Sequence, residues 1–385
     1  MLRTHGKIRE WLLSETVKIL IIGVSSRILI FVIALLGGLF LSSTHVFSAP
    51  PFINLFSNWD TKWYSQIALS GYPTGTNPLS ETWAFFPIYP VLMRLFATPF
   101  FGVTSPTQAV LISGFLISNI LFFVNLFLFY KITQTIFNNN RISLLSTIFF
   151  AFLPGTLFYS CVYSESLFMT FTLGAFYLLE KNQSTKAGIF GFFASLARSN
   201  GFLILVPFVY NGMQTRKYRT AIFQTILIAL PYLLFSIYGY ALTGLFPIRE
   251  VVYNHIWGAA RFTLAQIGSY QLGYAILASG EAMLLLVPFA YFLLSEETPI
   301  KDFVKGSNGR RDLKYWALSF WILFMIVFYT DPKSLHRYIL PMLPLYWVYA
   351  MIWNKNSKIG KVLFGAFIII LIIGTILFTT GGGYY

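Results

Sequence analysis

Cysteine is nearly absent from this chain, and charge is scarce. A single Cys161 in 385 residues excludes a disulfide framework and any cage of thiolate metal ligands. Charged residues make up 10% of the chain against 56% hydrophobic, too little polar surface for a protein dissolved in water. Acids are the rarer sign, with 13 Asp and Glu facing 27 Lys and Arg for a formal net charge of +14. In a soluble chain that excess would suggest nucleic acid. Here the basic residues sit in short gaps between long apolar runs, as in the cytosolic loops of membrane proteins, so the lipid membrane and no nucleic acid is the expected partner. An HExxH pair, a Gly-rich phosphate loop, a paired-carboxylate metal cage and a His cluster are also missing. No cofactor is therefore required. A divalent ion stays open, with Asp60 and Glu81 the pair that could share one.

What is present is apolar sequence in quantity. About 20 apolar residues span the hydrocarbon of a bilayer, because lipid-facing backbone must satisfy itself within its own helix. Spans are expected near residues 17 to 41, 109 to 137, 142 to 159, 166 to 180, 219 to 246, 273 to 294, 315 to 330, 338 to 353 and 362 to 380. The expected fold is thus all-α and polytopic, one membrane domain over residues 1–385 with no soluble domain, linker or internal repeat. The first run follows Arg3, Lys7, Arg9 and Lys18 and is too long for a signal-peptide core, so it is expected to be retained with a cytosolic N-terminus.

Residues 187 to 211 decide the topology. The basic loop after them holds Arg216, Lys217 and Arg219 and should face the cytosol, which one ordinary crossing would prevent. Two short segments meeting at Arg198-Ser199-Asn200-Gly201 would enter from the cytosol and return there, as buried broken helices do. The layout then has about eleven membrane segments. It gathers the first loop (42 to 108), Glu165, Arg198, the loop of 247 to 272 and Asp331 to Arg337 on the extracytosolic side.

Each polar residue on that side has a structural reading beside a chemical one. Trp59, Trp63 and Tyr64 suit an interfacial aromatic belt, with Asp60 a solvated acid or helix cap. Helical spacing from Trp59 to Leu69 would let the segment lie flat on the membrane and aim Asp60 beside the first span. Arg198 could snorkel to the interface, yet at the apex of a broken helix pair, beside Asn200 and Gly201, it is also placed to meet an anion. Glu165 could cap the helix it opens, orient Arg198 or bind hydroxyls. His336 and Arg337 could anchor at the interface or bind phosphate. Arg27 and Glu281, both at mid-membrane, are expected to pair. Gly71, Pro73, Gly75 and Pro78 mark a segment that could cover a bound sugar.

Four separated motifs carry a resemblance: WDTKWYSQIALSGY at 59 to 72 with AFFPIYP at 84 to 90, VYSESLF at 162 to 168, ARSNG at 197 to 201, and a looser HRYILPMLPLY at 336 to 346. Together they resemble the GPI mannosyltransferase 2 (PIG-V-type) family of GT-C membrane glycosyltransferases. Asn58 and Tyr64 depart from the eukaryotic pattern, and the short chain suggests a prokaryotic plasma-membrane relative, rather than one of the endoplasmic reticulum, acting on a glycan other than GPI.

The resemblance implies transfer of a sugar, mannose by the family, from a polyprenyl or dolichyl phosphate donor to a hydroxyl of a glycan or glycolipid. In that reading Asp60 is the base that accepts the acceptor's proton. Arg198, His336 and Arg337 meet the charge growing on the lipid phosphate. Trp59, Tyr64, Glu165 and Asn200 bind or orient substrate, and a single displacement inverts the sugar. A transporter or flippase is the alternative, since broken helices and intramembrane charges occur there too. A non-catalytic subunit of a glycan pathway is a third reading.

Overall fold

The computed structural model describes residues 14–40, 50–74, 79–257, 287, 288, 290, 313–329 and 334–381. Among the described residues every regular element is helical. Four helices are long and apolar enough to cross a membrane: α1 (Glu15–Phe40), α4 (Pro106–Phe137), α9 (Tyr218–Thr243) and α14 (Ser357–Thr379). That is the composition of an integral membrane protein. Between them lie α2 (Thr61–Ser70), α3 (Ile88–Ala97), α5 (Asn140–Phe152), α6 (Glu165–Glu180), α7 (Ser184–Ala197), α8 (Leu205–Thr215), α10 (Ile248–Trp257), α11 (Leu313–Tyr329), the single turn α12 (Leu335–Tyr338) and α13 (Leu343–Lys355).

The boundaries follow local chemistry. Ser105 accepts the Gln108 N–H at 3.3 Å and Pro106 takes the first position of α4, where a missing donor costs nothing. Asn138 ends that helix at φ 49°, and Asn139 caps α5 by accepting the Ile142 N–H at 3.0 Å. The span expected over 338 to 353 starts later, at Leu343. Pro341 falls between it and α12, and Pro344 sits in its first turn, where a missing donor costs nothing.

The first loop is more ordered than a loop. Its α3 buries Tyr89, Met93 and Ala97 at four-residue spacing and exposes Val91, Leu95 and Phe96, the pattern of a helix lying in the membrane interface. Arg94 ties α3 to α2 by donating to the Ala68 and Leu69 carbonyls at 3.0 and 2.8 Å. A small aromatic core of Trp83, Phe86, Phe235, Ile248 and Val252 then fastens this region to α9 and α10, with Tyr72 stacked on Trp83 at 4.5 Å.

The segment expected as a broken hairpin holds two helices, α7 and α8. Along α7, Gln224 of α9 donates to the Ser184 carbonyl at 2.8 Å, and Gly191 farther up faces Ile228. Returning down α8, Gly212 faces Ala221. Both open ends therefore meet the start of α9. The apex is a 3₁₀ stretch, Ser199–Ile204, and Gly201 permits its close return, since a Cβ there would lie 2.4 Å from the Ala194 carbonyl oxygen.

Arg27 of α1 is buried, and its guanidinium donates to the Ser160 and Thr156 hydroxyls at 2.6 and 2.9 Å and lies 3.8 Å over the Phe122 ring. It also donates to the Ser26 hydroxyl at 3.0 Å and to the Thr156 carbonyl at 3.3 Å. Glu281, Asp331, most of the 273 to 294 span and Gly75 to Pro78 lie outside them.

Candidate active site

The turn that delivers Asp60 is held from two sides. Trp59 sits at φ 53°, a left-handed conformation that bulky side chains rarely adopt and that persists only where neighbours impose it. The Tyr163 hydroxyl imposes it on one side, accepting the Asp60 N–H at 3.2 Å and donating to the Asn58 carbonyl at 3.0 Å. On the other, Asn58 donates from Nδ2 to the Phe378 carbonyl at 2.8 Å, pinning the turn to the end of α14. Asp60 then leads directly into α2.

Four charged groups from distant parts of the chain converge there. Arg337 donates from Nη1 to Asp60 Oδ2 at 2.7 Å and from Nε to Glu165 Oε1 at 2.5 Å. Arg198 pairs with the same Glu165 oxygen. Glu165 opens α6, Arg198 ends α7 with an extended backbone at the hairpin apex, and Arg337 rides on α12. Its guanidinium packs 4.7 Å from the Tyr163 ring and 5.4 Å from Phe158. Tyr64 adds a hydroxyl 2.7 Å from that of Ser164, the residue before Glu165.

Environment fixes the charge states. Burial alone would push the Glu165 carboxyl up, but Arg198 and Arg337 outweigh it and hold it below its ordinary value. Burial opposes the charge on Arg337 as well, and Glu165 and Asp60 more than reverse it. Burial raises Tyr64, so its hydroxyl stays protonated and able to donate.

A cavity of about 150 Å³ opens on this cluster, lined by Asp60, Tyr64, Phe85, Arg198 and Arg337 among others. A larger one of about 530 Å³ adjoins it, and Ser199, Arg249, Tyr253 and Tyr338 line both. The structure thus brings Asp60, Tyr64, Glu165, Arg198 and Arg337 together. Asn200 stands in the larger cavity instead. Trp59 is 39% exposed and belongs to neither lining.

His336 is turned away from the expected site. It is 1% exposed, its ring stacks on Phe158 at 4.9 Å, and its carbonyl leaves Gly155 no room for a side chain. Successive residues on a helical turn point about 100° apart, and on α12 it is Arg337 and Tyr338 that face the cavity while His336 packs on Phe158. Glu81 opens a short 3₁₀ turn and lies outside both linings, and among the described residues no three His, Cys, Asp or Glu side chains gather as metal ligands. Arg249 of α10, which lines both cavities, was not singled out from the sequence. The Arg-Glu pair at 249 and 250, in the loop expected over 247 to 272, was the available signal.

Parts of the chain are similar to known proteins. A 160-residue stretch is 27% identical to GPI mannosyltransferase 2 of Schizosaccharomyces pombe, covering 41% of this chain and 32% of that one. A 161-residue stretch is 31% identical to GPI mannosyltransferase 2 of Drosophila pseudoobscura, covering 38% and 33%. The chain thus covers about a third of the length of these relatives. Among solved structures, the oligosaccharyltransferase of Archaeoglobus fulgidus aligns over 92% of this chain and 55% of its own at 11% identity and a TM-score of 0.43, a distance at which nothing about the site follows. The family model described as mannosyltransferase (PIG-V) matches residues 42–256, more than half of the chain and all of the segments that deliver Asp60, Glu165 and Arg198. The chain belongs to the mannosyltransferase (PIG-V) family.

Proposed function

We propose that this protein transfers a sugar, mannose by its family, from a polyprenyl- or dolichyl-phosphate donor to a hydroxyl of a glycan or glycolipid on the extracytosolic side of the membrane. It acts as a single membrane domain of about eleven segments, the hairpin included. The observation that carries the reading is the shared cavity, in which a carboxylate from the first loop faces two arginines from the hairpin apex and from α12.

The chemistry follows from those groups. As the acceptor oxygen bonds to the anomeric carbon, its proton passes to the Asp60 carboxylate. Arg337 engages Oδ2, and among the described residues Oδ1 carries no hydrogen bond and remains for the acceptor. The anomeric carbon–oxygen bond breaks on the opposite face and its electron pair leaves with the lipid phosphate, whose growing charge is met by Arg198 and Arg337. One displacement inverts the configuration and leaves the enzyme unmodified.

Reconstitution with polyprenyl-phosphate-mannose and a panel of glycan acceptors tests the reading. Wild-type protein should form product, and Asp60→Asn at equal folded yield should not. Full transfer by the Asn variant would remove Asp60 as the base, and no transfer by wild type to any acceptor would favour a carrier or an assembly subunit.

A further inference from the structure

The two arginines closest to Asp60 are already matched. Arg198 and Arg337 share Glu165, and Arg337 also holds Asp60, so two cations face two buried or half-buried acids. These four groups therefore offer an incoming anion donors but no net positive charge. An anion drawn from water into such a site needs a counter-charge of its own.

Arg249 meets that need. It stands near the start of α10, where it lines both cavities at their junction. Its partner is the neighbouring Glu250, 2.8 Å away with a side chain 35% exposed, and a pair so placed is weak enough to exchange. Among the described residues its buried Nε has no hydrogen-bond partner, an unused donor within the cavity wall. The guanidinium is kept in place by the Tyr253 ring, 5.1 Å away. Beyond it the larger cavity is walled by Phe202, Leu203, Ala229 and Met325. A polar, hydroxyl-lined pocket thus lies on one side of the cation and an apolar chamber on the other.

We propose that Arg249 binds the phosphate of a polyprenyl-monophosphate substrate at this junction, the isoprenoid chain entering the larger cavity and the sugar the pocket of Asp60. Glu250 is the counter-ion that the phosphate displaces. This assignment rests on the donor class proposed above and adds the residue that receives it.

The test uses the full chain in nanodiscs of zwitterionic lipid, with three probes: polyprenyl phosphate, uncharged polyprenol and inorganic phosphate. Arg249→Ala should weaken polyprenyl phosphate binding roughly 10- to 100-fold, the range of a charge-assisted hydrogen bond, and leave polyprenol binding unchanged. Arg249→Lys should restore part of it. Glu250→Gln should tighten it several-fold, a direction that damage to the fold would not produce. In transfer assays the donor KM should rise in Arg249→Ala while the acceptor KM holds. Wild-type phosphate affinity in Arg249→Ala, in a protein that transfers sugar, would overturn the Arg249 assignment alone. Equal weakening of polyprenol would make the residue structural and overturn it too. Inorganic phosphate competing as well as polyprenyl phosphate would overturn the place given to the chain. Wild-type protein that binds no polyprenyl phosphate would remove both this inference and the donor reading.

Discussion

Arg337 holds the Asp60 carboxylate at 2.7 Å across 277 positions of sequence, and the same guanidinium reaches Glu165 at 2.5 Å. Two acids that the chain delivers separately are thereby tied through one cation. Lysine cannot reproduce this, because it lacks the planar fork that presents Nε and Nη1 to different carboxylates. Arg337→Lys should therefore lose activity about as fully as Arg337→Ala, read as product formed per folded molecule. Near-wild-type turnover in the Lys variant would show that only the charge matters.

Asp60→Asn should keep the turn, since the backbone contacts to Tyr163 remain, and should lower turnover by roughly 10²- to 10⁴-fold, the usual worth of a positioned base. Thermal unfolding in detergent checks that the fold survives.

Glu165 should make stability depend on acid. Its carboxyl is depressed in the folded protein, so its contribution is fully present above its unfolded value near 4.5 and is lost as pH falls through the lower folded value. Unfolding temperature should hold from pH 7 to about 5 and drop below that. In Glu165→Gln two guanidiniums lose a buried partner, at a cost of about 3–5 kcal/mol, and the acid-side drop should shrink. A drop of unchanged size in Glu165→Gln would place the acid-sensitive group elsewhere.

Tyr163→Phe removes the hydroxyl that both accepts from Asp60 and donates to Asn58. Stability should fall by only about 1–2 kcal/mol, the usual net worth of two neutral hydrogen bonds. Turnover should fall further, about tenfold or more, because Asp60 would no longer be held in register with its cavity. A stability loss with turnover intact would show that the clamp serves folding alone.

The hairpin can be tested with single cysteines in a Cys161→Ser background, the native thiol being buried. Asn182→Cys and Lys217→Cys, both on exposed turns flanking the hairpin, should be labelled from the same side of the membrane. Labelling from opposite sides would mean that residues 184–215 cross once.

Much of the site was legible because its chemistry is carried by rare residues in an apolar chain. An acid after Trp59, an acid at 165 and an arginine beside Gly201 have few reasons to be there unless they meet, and charge parity along the loops placed them on one side. What escaped depends on rotation about short helices. His336 and Arg337 are equivalent as letters, and only the pitch of α12 separates a ring stacked on Phe158 from a guanidinium in the cavity. Asn200 is two residues from Arg198 and likewise falls in the other chamber. The helix α3 escaped because its exposed side is mostly apolar too, with Val91, Leu95 and Phe96 beside Arg94, so no polar face marks it. Arg249 escaped because an adjacent Arg-Glu pair reads as a solvated surface until packing shows that it stands between two chambers.

The order of synthesis gives the position of Arg337 a further meaning. Asp60 and Glu165 leave the ribosome long before it, so the nascent chain carries Glu165 matched by Arg198 alone, and Asp60 without its guanidinium, until α12 docks. The earlier helices therefore carry these acids incompletely matched during insertion, and α12 acts as the latch that completes the cluster.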